Sequence, residues 1–302
     1  MRQRRVYISF PDDVETNSIT AGSQKKIDGV NIRFNVKTYS QAGLPASSHI
    51  TVYNLNNEDL QKLSTSAATW LFKQNFMQLY AGYDDNVRLL ASGQIMEAIP
   101  QGNPDVGLEI KLLNGAKWFG EIITLQKSEI KVIDALNMVA EKMGWTVNIS
   151  DELKQSELLN IVMPEFSFTG TAFEALDTIQ AKVGGFNIRE KGVNITTYND
   201  EIFVWSAGET GKNPVMVINK YTGMIGYPHP TTAGASVRIL LNPNLRAGQL
   251  VRIESDRIGF INGDYYIVSL QHEGELRGND WFTTLECSRA SNYKEALQES
   301  KK

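Results

Sequence analysis

The feature that most constrains this chain is a β-unit written in it twice. The first copy runs Met77-Gln78-Leu79-Tyr80-Ala81-Gly82-Tyr83, then Ser92-Gly93-Gln94-Ile95-Met96-Glu97-Ala98, then Leu108-Glu109-Ile110-Lys111-Leu112-Leu113. The second runs Gln249-Leu250-Val251-Arg252-Ile253, then Asn262-Gly263-Asp264-Tyr265-Tyr266-Ile267-Val268, then Trp281-Phe282-Thr283-Thr284-Leu285-Glu286. Each reads as a strand, a turn glycine, a second strand, a polar loop and a third strand. Gly93 and Gly263 stand 170 residues apart. Apolar and polar residues alternate with the period of a half-buried strand. A unit repeated around intervening material points to a shape being built rather than a reaction being run.

The 302 residues leave room for two or three domains. Residues 1–118 read as a first β-domain, with strands Val6–Phe10, Val30–Val36 and Ile50–Leu55 ahead of the first copy. A short helix follows Leu55, with Asn57 as its cap and Leu60, Leu63, Ala67 and Leu71 on one face. Gly102 to Asp105 has hairpin-loop chemistry. Residues 206–302 read as a second β-domain. It opens with a loop broken by glycine and proline through Pro230, crossed by a short strand at Val215–Ile218. A polar tail follows Ser291.

The intervening 119–205 holds a second repeat, at an offset of 40. Asp134-Ala135-Leu136 answers to Glu174-Ala175-Leu176, and Lys142-Met143-Gly144 to Lys182-Val183-Gly184. In each copy an amphipathic helix ends at a glycine and a strand follows, Trp145–Ile149 and Phe186–Ile188. The first helix is expected to bury Val132, Ile133, Leu136, Val139, Ala140 and Met143, the second Ala172, Leu176, Ile179 and Val183. Thr171 and Glu174 form a capping box. Gly144 and Gly184 suit left-handed helix ends. Lys191-Gly192 turns the chain into a returning strand, Val193–Tyr198. The fold class is therefore α+β and mostly β.

Chemistry is looked for without success. A formal charge of −4 and a pI near 5.6 argue against a standing nucleic-acid binder, which carries a basic patch. The basic start, Met1 to Arg5, runs straight into a strand pattern and has no signal-peptide core. No apolar run reaches the length of a membrane span. The single cysteine, Cys287, excludes an intrachain disulfide and a multi-cysteine zinc site, and its strand pattern reads as a buried, inert thiol. His49, His229 and His272 lie in separate segments without a second ligand at metal spacing. Two acidic pairs, Glu273 with Glu275 and Asp84 with Asp85, resemble the paired carboxylates of glycan-cleaving enzymes, but both read as solvated turn residues. Tyr80, Tyr83, Tyr265, Tyr266, Trp281 and Phe282 fall at strand positions, where sheet packing accounts for them. No catalytic, cofactor-binding or metal-ligating residues and no cofactor are expected.

Several stretches stand in a distinctive order: His49-Ile50-Thr51-Val52-Tyr53-Asn54-Leu55, Leu79-Tyr80-Ala81-Gly82-Tyr83, Ser92-Gly93-Gln94-Ile95 and Gly223-Met224-Ile225-Gly226-Tyr227-Pro228. Ser236–Pro243, Gly263-Asp264-Tyr265-Tyr266 and His272–Trp281 continue the series. In order and spacing these stretches resemble baseplate hub proteins of bacteriophage tails. The resemblance implies two similar tail-tube-like β-barrel domains with an inserted α/β repeat segment. It implies a homotrimer in the virion, assembled in the host cytoplasm, which adapts a hexameric tail tube protein to a trimeric central spike protein. DNA would pass transiently through its lumen, other baseplate or tail proteins would surround it, and no stable membrane binding would be involved. Threefold assembly of a duplicated unit makes quasi-sixfold symmetry. Leu250–Ile253 is expected at an edge that assembly covers. Two other readings share parts of this pattern: a cell-wall-binding or lytic module acting through 119–205, and a peripheral tail-tip or baseplate adaptor.

Overall fold

The structure, a computed structural model, describes residues 3–10, 25–41, 47–64, 76–102, 105–114, 122–154, 156–185, 192–198, 201–206 and 216–290. The N-terminal part holds β1 (Arg4–Phe10), β2 (Lys25–Ile27), β3 (Ile32–Tyr39), β4 (Ser47–Tyr53), α1 (Asn57–Leu63), β5 (Phe76–Tyr83), β6 (Asn86–Gln101) and β7 (Gly107–Asn114). Its strands lie in the order β3-β4-β7-β6-β5, every neighbour antiparallel, with β1 and then β2 beyond β5. The cap of α1 is Asn56, one residue before the expected Asn57, and its side chain accepts from the Asp59 N–H at 2.7 Å. Ala67 and Leu71 lie outside the described residues, as do Asn103 and Pro104 of the expected hairpin loop.

The insert follows: β8 (Ile123–Lys131), α2 (Val132–Met143), β9 (Thr146–Ile149), α3 (Asp151–Lys154), β10 (Val162–Gly170), α4 (Ala172–Lys182), β11 (Asn194–Tyr198) and β12 (Glu201–Trp205). Each helix of the repeat is preceded by a strand, and those two strands, β8 and β10, pair antiparallel with each other. α2 buries Val132, Leu136, Val139, Ala140 and Met143 as expected, with Ala135 in the core and Ile133 only partly covered. α4 buries Ala172, Leu176 and Ile179, adds Phe173 and Ala175, and leaves Val183 at the core's margin. The Thr171–Glu174 capping box is formed, and Gly144 ends α2 in the left-handed region at φ 67. β12 lies between β11 and β9 in a separate three-stranded sheet. The expected strand Phe186–Ile188 lies outside the described residues.

The C-terminal part repeats the first plan with β13 (Met216–Ile218), β14 (Met224–Pro230), β15 (Gly234–Leu240), β16 (Leu250–Ile253), β17 (Gly263–Glu275) and β18 (Trp281–Arg289). The order is β14-β15-β18-β17-β16, again antiparallel throughout. In both copies the strands lie as first, second, fifth, fourth, third. Both central strands also hold one extra residue opposite the last strand: Met96 in β6, between the pairs Ile95–Leu112 and Glu97–Lys111, and Val268 in β17, between Ile267–Cys287 and Ser269–Glu286. Such a bulge bends a strand and raises its twist, so the two sheets curl alike.

Four expectations are corrected here. Gly93 makes no turn. It sits within β6 between Met77 and Asn114, where a Cβ would lie 2.0 Å from the Leu113 carbonyl oxygen. Asp84-Asp85 make the β5–β6 turn instead, with Asp84 at φ 47. The stretch through Pro230, read as loop, contains β14, which tolerates two prolines because β15 is its one partner among the described strands. Leu250–Ile253 is flanked by β13 and β17 and is not an edge. The copies are also not two separate closed barrels among the described residues. β17 pairs with β3 from Ser269–Tyr39 to Glu275–Arg33, so both belong to one thirteen-stranded sheet.

The join is packed as well as hydrogen-bonded. Trp281 and Leu241 of the second copy lie in the hydrophobic cluster of the first. The Trp281 ring meets the Phe34 ring edge-on at 5.4 Å and the Tyr83 ring at 6.3 Å, with the Arg4 guanidinium 5.4 Å from its centroid. Arg4 also donates to the Gly278 carbonyl at 2.7 Å. Gly274 makes this possible: a Cβ there would lie 2.4 Å from Phe34 Cζ and 2.8 Å from Trp281 Cε3. The insert has its own core and is tied to both copies. Thr196 Oγ1 donates to the Ser40 carbonyl at 2.6 Å, Arg246 holds the Glu201 carboxylate at 3.0 and 3.2 Å, and the Trp205 and Tyr266 rings lie 5.2 Å apart.

Gly274→Val is therefore expected to cost about 3 kcal/mol through overpacking at the join. Gly102→Ala, where the added Cβ meets nothing within 4 Å, is expected to stay near the wild type. Urea unfolding of both variants checks the pair, and equal midpoints would contradict the assigned role of Gly274.

Candidate functional site

Because the bulge and the β17–β3 join keep the strands in register, one exposed sheet face runs across both copies. It spans β14, β15, β18, β17, β3, β4, β7 and β6. Cross-strand pairs trace it: His229–Ser236, Arg238–Thr284, Thr284–Gln271, Gln271–Lys37, Asn35–His49, His49–Lys111 and Lys111–Glu97. The alternate residues point into the cores; Phe34, Val36, Ile50, Ile110, Leu285 and Val237 are all buried. This is the period-two pattern of an antiparallel sheet with one wet face.

The face is polar and nearly balanced in charge. Its central strands carry the bases Arg33, Lys37, Lys111 and Arg238 against the acids Glu97, Glu109, Glu273, Glu275 and Glu286. Many of these charges have partners. Lys111 Nζ lies 2.7 Å from Glu97, and that carboxylate raises the lysine's pKa. Arg238 lies 3.5 Å from Glu273 and stacks over the Phe282 ring at 4.2 Å. Glu273 accepts from Gln271 at 2.8 Å, Glu275 from Asn31 at 2.9 Å, and Glu286 from Ser236 at 2.7 Å. Exposed pairs of this kind contribute little stability. Their consequence is electrical: cations held beside carboxylates make a weak attractor for phosphate.

The residues weighed for chemistry scatter over the fold. Glu273 and Glu275 lie in β17, not in a turn, and their oxygens are engaged as above. Asp84 accepts from the Gln3 N–H at 2.8 Å in its hairpin turn. His49 and His229 stand on the exposed face in β4 and β14, while His272 points into the core from β17. Cys287 is buried, and burial pushes its thiol pKa up, away from the reactive thiolate. Tyr265, Tyr266 and Trp281 are core residues, whereas Phe282 lies on the wet face. Among the described residues no three His, Cys, Asp or Glu cluster as a metal site, and no helix is long and apolar enough to cross a membrane.

His272 is the one buried titratable base of the join. Its Nδ1 lies 2.9 Å from Thr283 Oγ1, which accepts the Asn242 N–H at 3.0 Å. Nε2 of the same ring has no partner among the described residues. Burial lowers the His272 pKa from 6.5 to about 3.

Comparison with known proteins defines the class. The chain is similar in structure to the 43 kDa tail protein of prophage MuSo2 from Shewanella oneidensis, at 9% identity and a TM-score of 0.58, covering 96% of this chain and 97% of that one. It is similar to the tail protein from Neisseria meningitidis MC58, at 11% identity and a TM-score of 0.60, covering 95% and 96%. The c3393 protein of E. coli, a type VI secretion system component, aligns at 10% identity and a TM-score of 0.52 over 87% of this chain and 74% of that one. No curated protein matches the sequence. The fold is that of phage tail proteins. The sequence profile of the baseplate hub gp41 family matches residues 14–287, and the chain belongs to that family, a structural component of the tail baseplate.

A base held neutral in the fold at pH values where the unfolded chain protonates makes stability fall with acid. The contribution of His272 is complete above about pH 6.5 and is lost as pH falls toward 3, at about 1.4 kcal/mol per pH unit. Between pH 7 and pH 5, wild type is expected to lose about 2 kcal/mol more than His272→Gln. Urea titrations at the two pH values measure this, and parallel losses would contradict it.

Proposed function

We propose that this hub protein acts as a trimer on the tail axis, joining a hexameric tail tube to a trimeric central spike. The observation that carries the reading is the repeated five-strand plan, with the same bulge, inside one continuous sheet. Three such chains present six related units, which meets sixfold symmetry on one side while the assembly itself keeps threefold symmetry. The two β-units belong to residues 1–118 and 206–302, and the insert, 119–205, stands off the ring. Assembly takes place in the host cytoplasm, and neighbouring baseplate proteins contact the hub's outer surface.

On this reading the polar face of the eight strands lines the channel. Three chains make a wall of roughly 24 strands, tilted by about 40° and spaced by about 4.8 Å. Its backbone diameter is then about 45–50 Å, which leaves room for duplex DNA inside the side-chain layer. A wall that lets DNA slide needs few unpaired cations, because phosphate contacts supply non-specific affinity. The ion pairs on this face, Lys111 with Glu97 and Arg238 with Glu273, suit that role. The chain contributes a surface and a symmetry, with no catalytic step.

Light scattering of the purified protein and a reconstruction of the assembled tail test the proposal. Three copies around the axis are expected, and a position away from the axis would sink it. The channel assignment has its own check. Converting Glu97, Glu109 and Glu273 to lysine is expected to create duplex DNA binding at low salt that weakens steeply as salt rises. Wild type is expected to bind at least tenfold more weakly in the same gel-shift series. Equal binding would remove the face from the channel wall.

A further inference from the structure

The exposed apolar side chains of the β-units are gathered on two surfaces. Of nine large hydrophobics exposed among the described residues, six lie either beside the β6–β7 connection or on β14 and the segments around it. Val106 and Ile99 flank that connection, at 48% and 46% exposure; Tyr221, Tyr227, Leu240 and Phe260 belong to the second group. The internal repeat relates these two surfaces to the join already made within the chain.

Within the chain, the second copy's central strand β17 and the start of β18 meet the first copy's leading strand β3. Trp281, at the start of β18, fills a socket of Phe34, Tyr83 and Arg4. The matching bulges set β7 against β18, so that Lys111 answers to Glu286 and Val106 to Trp281. The matching strand order sets β14 against β3. The first copy's counterpart of the knob is thus Val106, whereas Ile99, opposite Glu109, points to the wet face. The second copy's counterpart of the socket is the bulged part of β14, with Tyr227.

The rest of that socket is present. Where the first copy has the two-residue turn Asp84-Asp85, which puts Tyr83 beside Trp281, the second has the loop Glu254–Asn262. That loop is braced from within, Ser255 N–H donating to Asn262 Oδ1 at 2.6 Å and Asn262 Nδ2 to the Ser255 carbonyl at 3.2 Å. It holds Phe260 out at 72% exposure and lays the Arg257 guanidinium 4.9 Å from the Tyr227 ring. An arginine on an aromatic ring therefore stands at β14, and the loop that supplies the arginine also carries the exposed Phe260, where the first copy has Arg4, Phe34 and Tyr83 around Trp281.

We infer that Val106 of one copy seats against Tyr227, Phe260 and Arg257 of a second copy, repeating between chains the join that Trp281 makes within one. Pro228 and Pro230 on β14 and Pro100 on β6 give these strands fewer backbone donors than β17 and β3 have. Side-chain packing therefore carries this contact more than a hydrogen-bonded ladder does. The inference rests on the trimeric reading above and names the surfaces that form it.

Two measurements test it. Tyr227→Glu with Phe260→Glu alters exposed side chains only, so thermal unfolding of the subunit is expected to match wild type. The concentration at which the trimer half-dissociates is expected to rise at least tenfold. Separately, Val106→Cys with Tyr227→Cys, treated with a short bismaleimide, is expected to give covalent trimers on denaturing gels, and either single variant none; Cys287 is buried and does not compete. A wild-type trimer that survives the glutamate pair and gives no crosslink overturns this inference and leaves the trimeric hub standing. A wild type that stays monomeric at every concentration overturns both. Should the glutamate pair unfold, the crosslink alone decides.

Discussion

The pairing of β17 with β3 is the contact on which the rest of this structure depends. It runs seven residues, from Ser269 opposite Tyr39 to Glu275 opposite Arg33, and turns two curled sheets into one. Backbone hydrogen bonds alone would leave the join sensitive to a slip, and a slip of one residue would exchange its buried and wet faces. The packing beneath it removes that freedom. Trp281 is fully buried between the copies, and Gly274 leaves the space that the Phe34 and Trp281 rings occupy. A large aromatic in a shaped socket specifies register more sharply than a row of interchangeable aliphatics.

Much of this was legible in the sequence, for a definite reason. The strands of the β-units alternate with period two because one face is wet and one is dry, so β3, β4, β7 and β18 stand out as patterns. The helices α2 and α4 were legible by their apolar stripe and by Gly144 and Thr171 at their ends. What was not legible is where a glycine serves approach rather than turning. Gly93 and Gly263 look alike in sequence, yet one lies mid-strand against a carbonyl and the other opens a strand. The bulges at Met96 and Val268 leave no compositional mark, because any residue can be the extra one. β14 was hidden by Gly226, Pro228 and Pro230, which read as loop unless the strand is known to lie at a sheet margin.

The wet face could not be named from sequence either. Alternation says that two faces exist and not which of them a neighbouring strand shares. Only the pairings from His229 across to Glu97 connect residues more than two hundred positions apart, such as Lys37 and Gln271, into one surface. That surface also disposes of the residues that first looked chemical. Glu273 and Glu275 resembled a catalytic pair when read as a turn motif, but as alternate residues of β17 they belong to a ladder of amides and arginine. His272, one residue away, faces the opposite side and is dry.

A duplicated unit can diverge only where symmetry does not need it. The strand order, the bulge and the five-residue connection after each central strand are the same in both copies. These are the features that set curvature and wall height, and a quasi-sixfold ring requires them to match. In the proposed trimer the copies differ where one join lies inside a chain and the other lies between chains. The internal join can rely on Trp281, because covalent linkage holds both sides at high effective concentration. A join between chains has no such help and must be reversible until the ring closes, which favours smaller side chains such as Val106 and a rigid loop that presents its aromatic ring in place. The asymmetry between Asp84-Asp85 and Glu254–Asn262 is then what an internal duplication is expected to accumulate, since the same contact must be permanent once and assembled the other time.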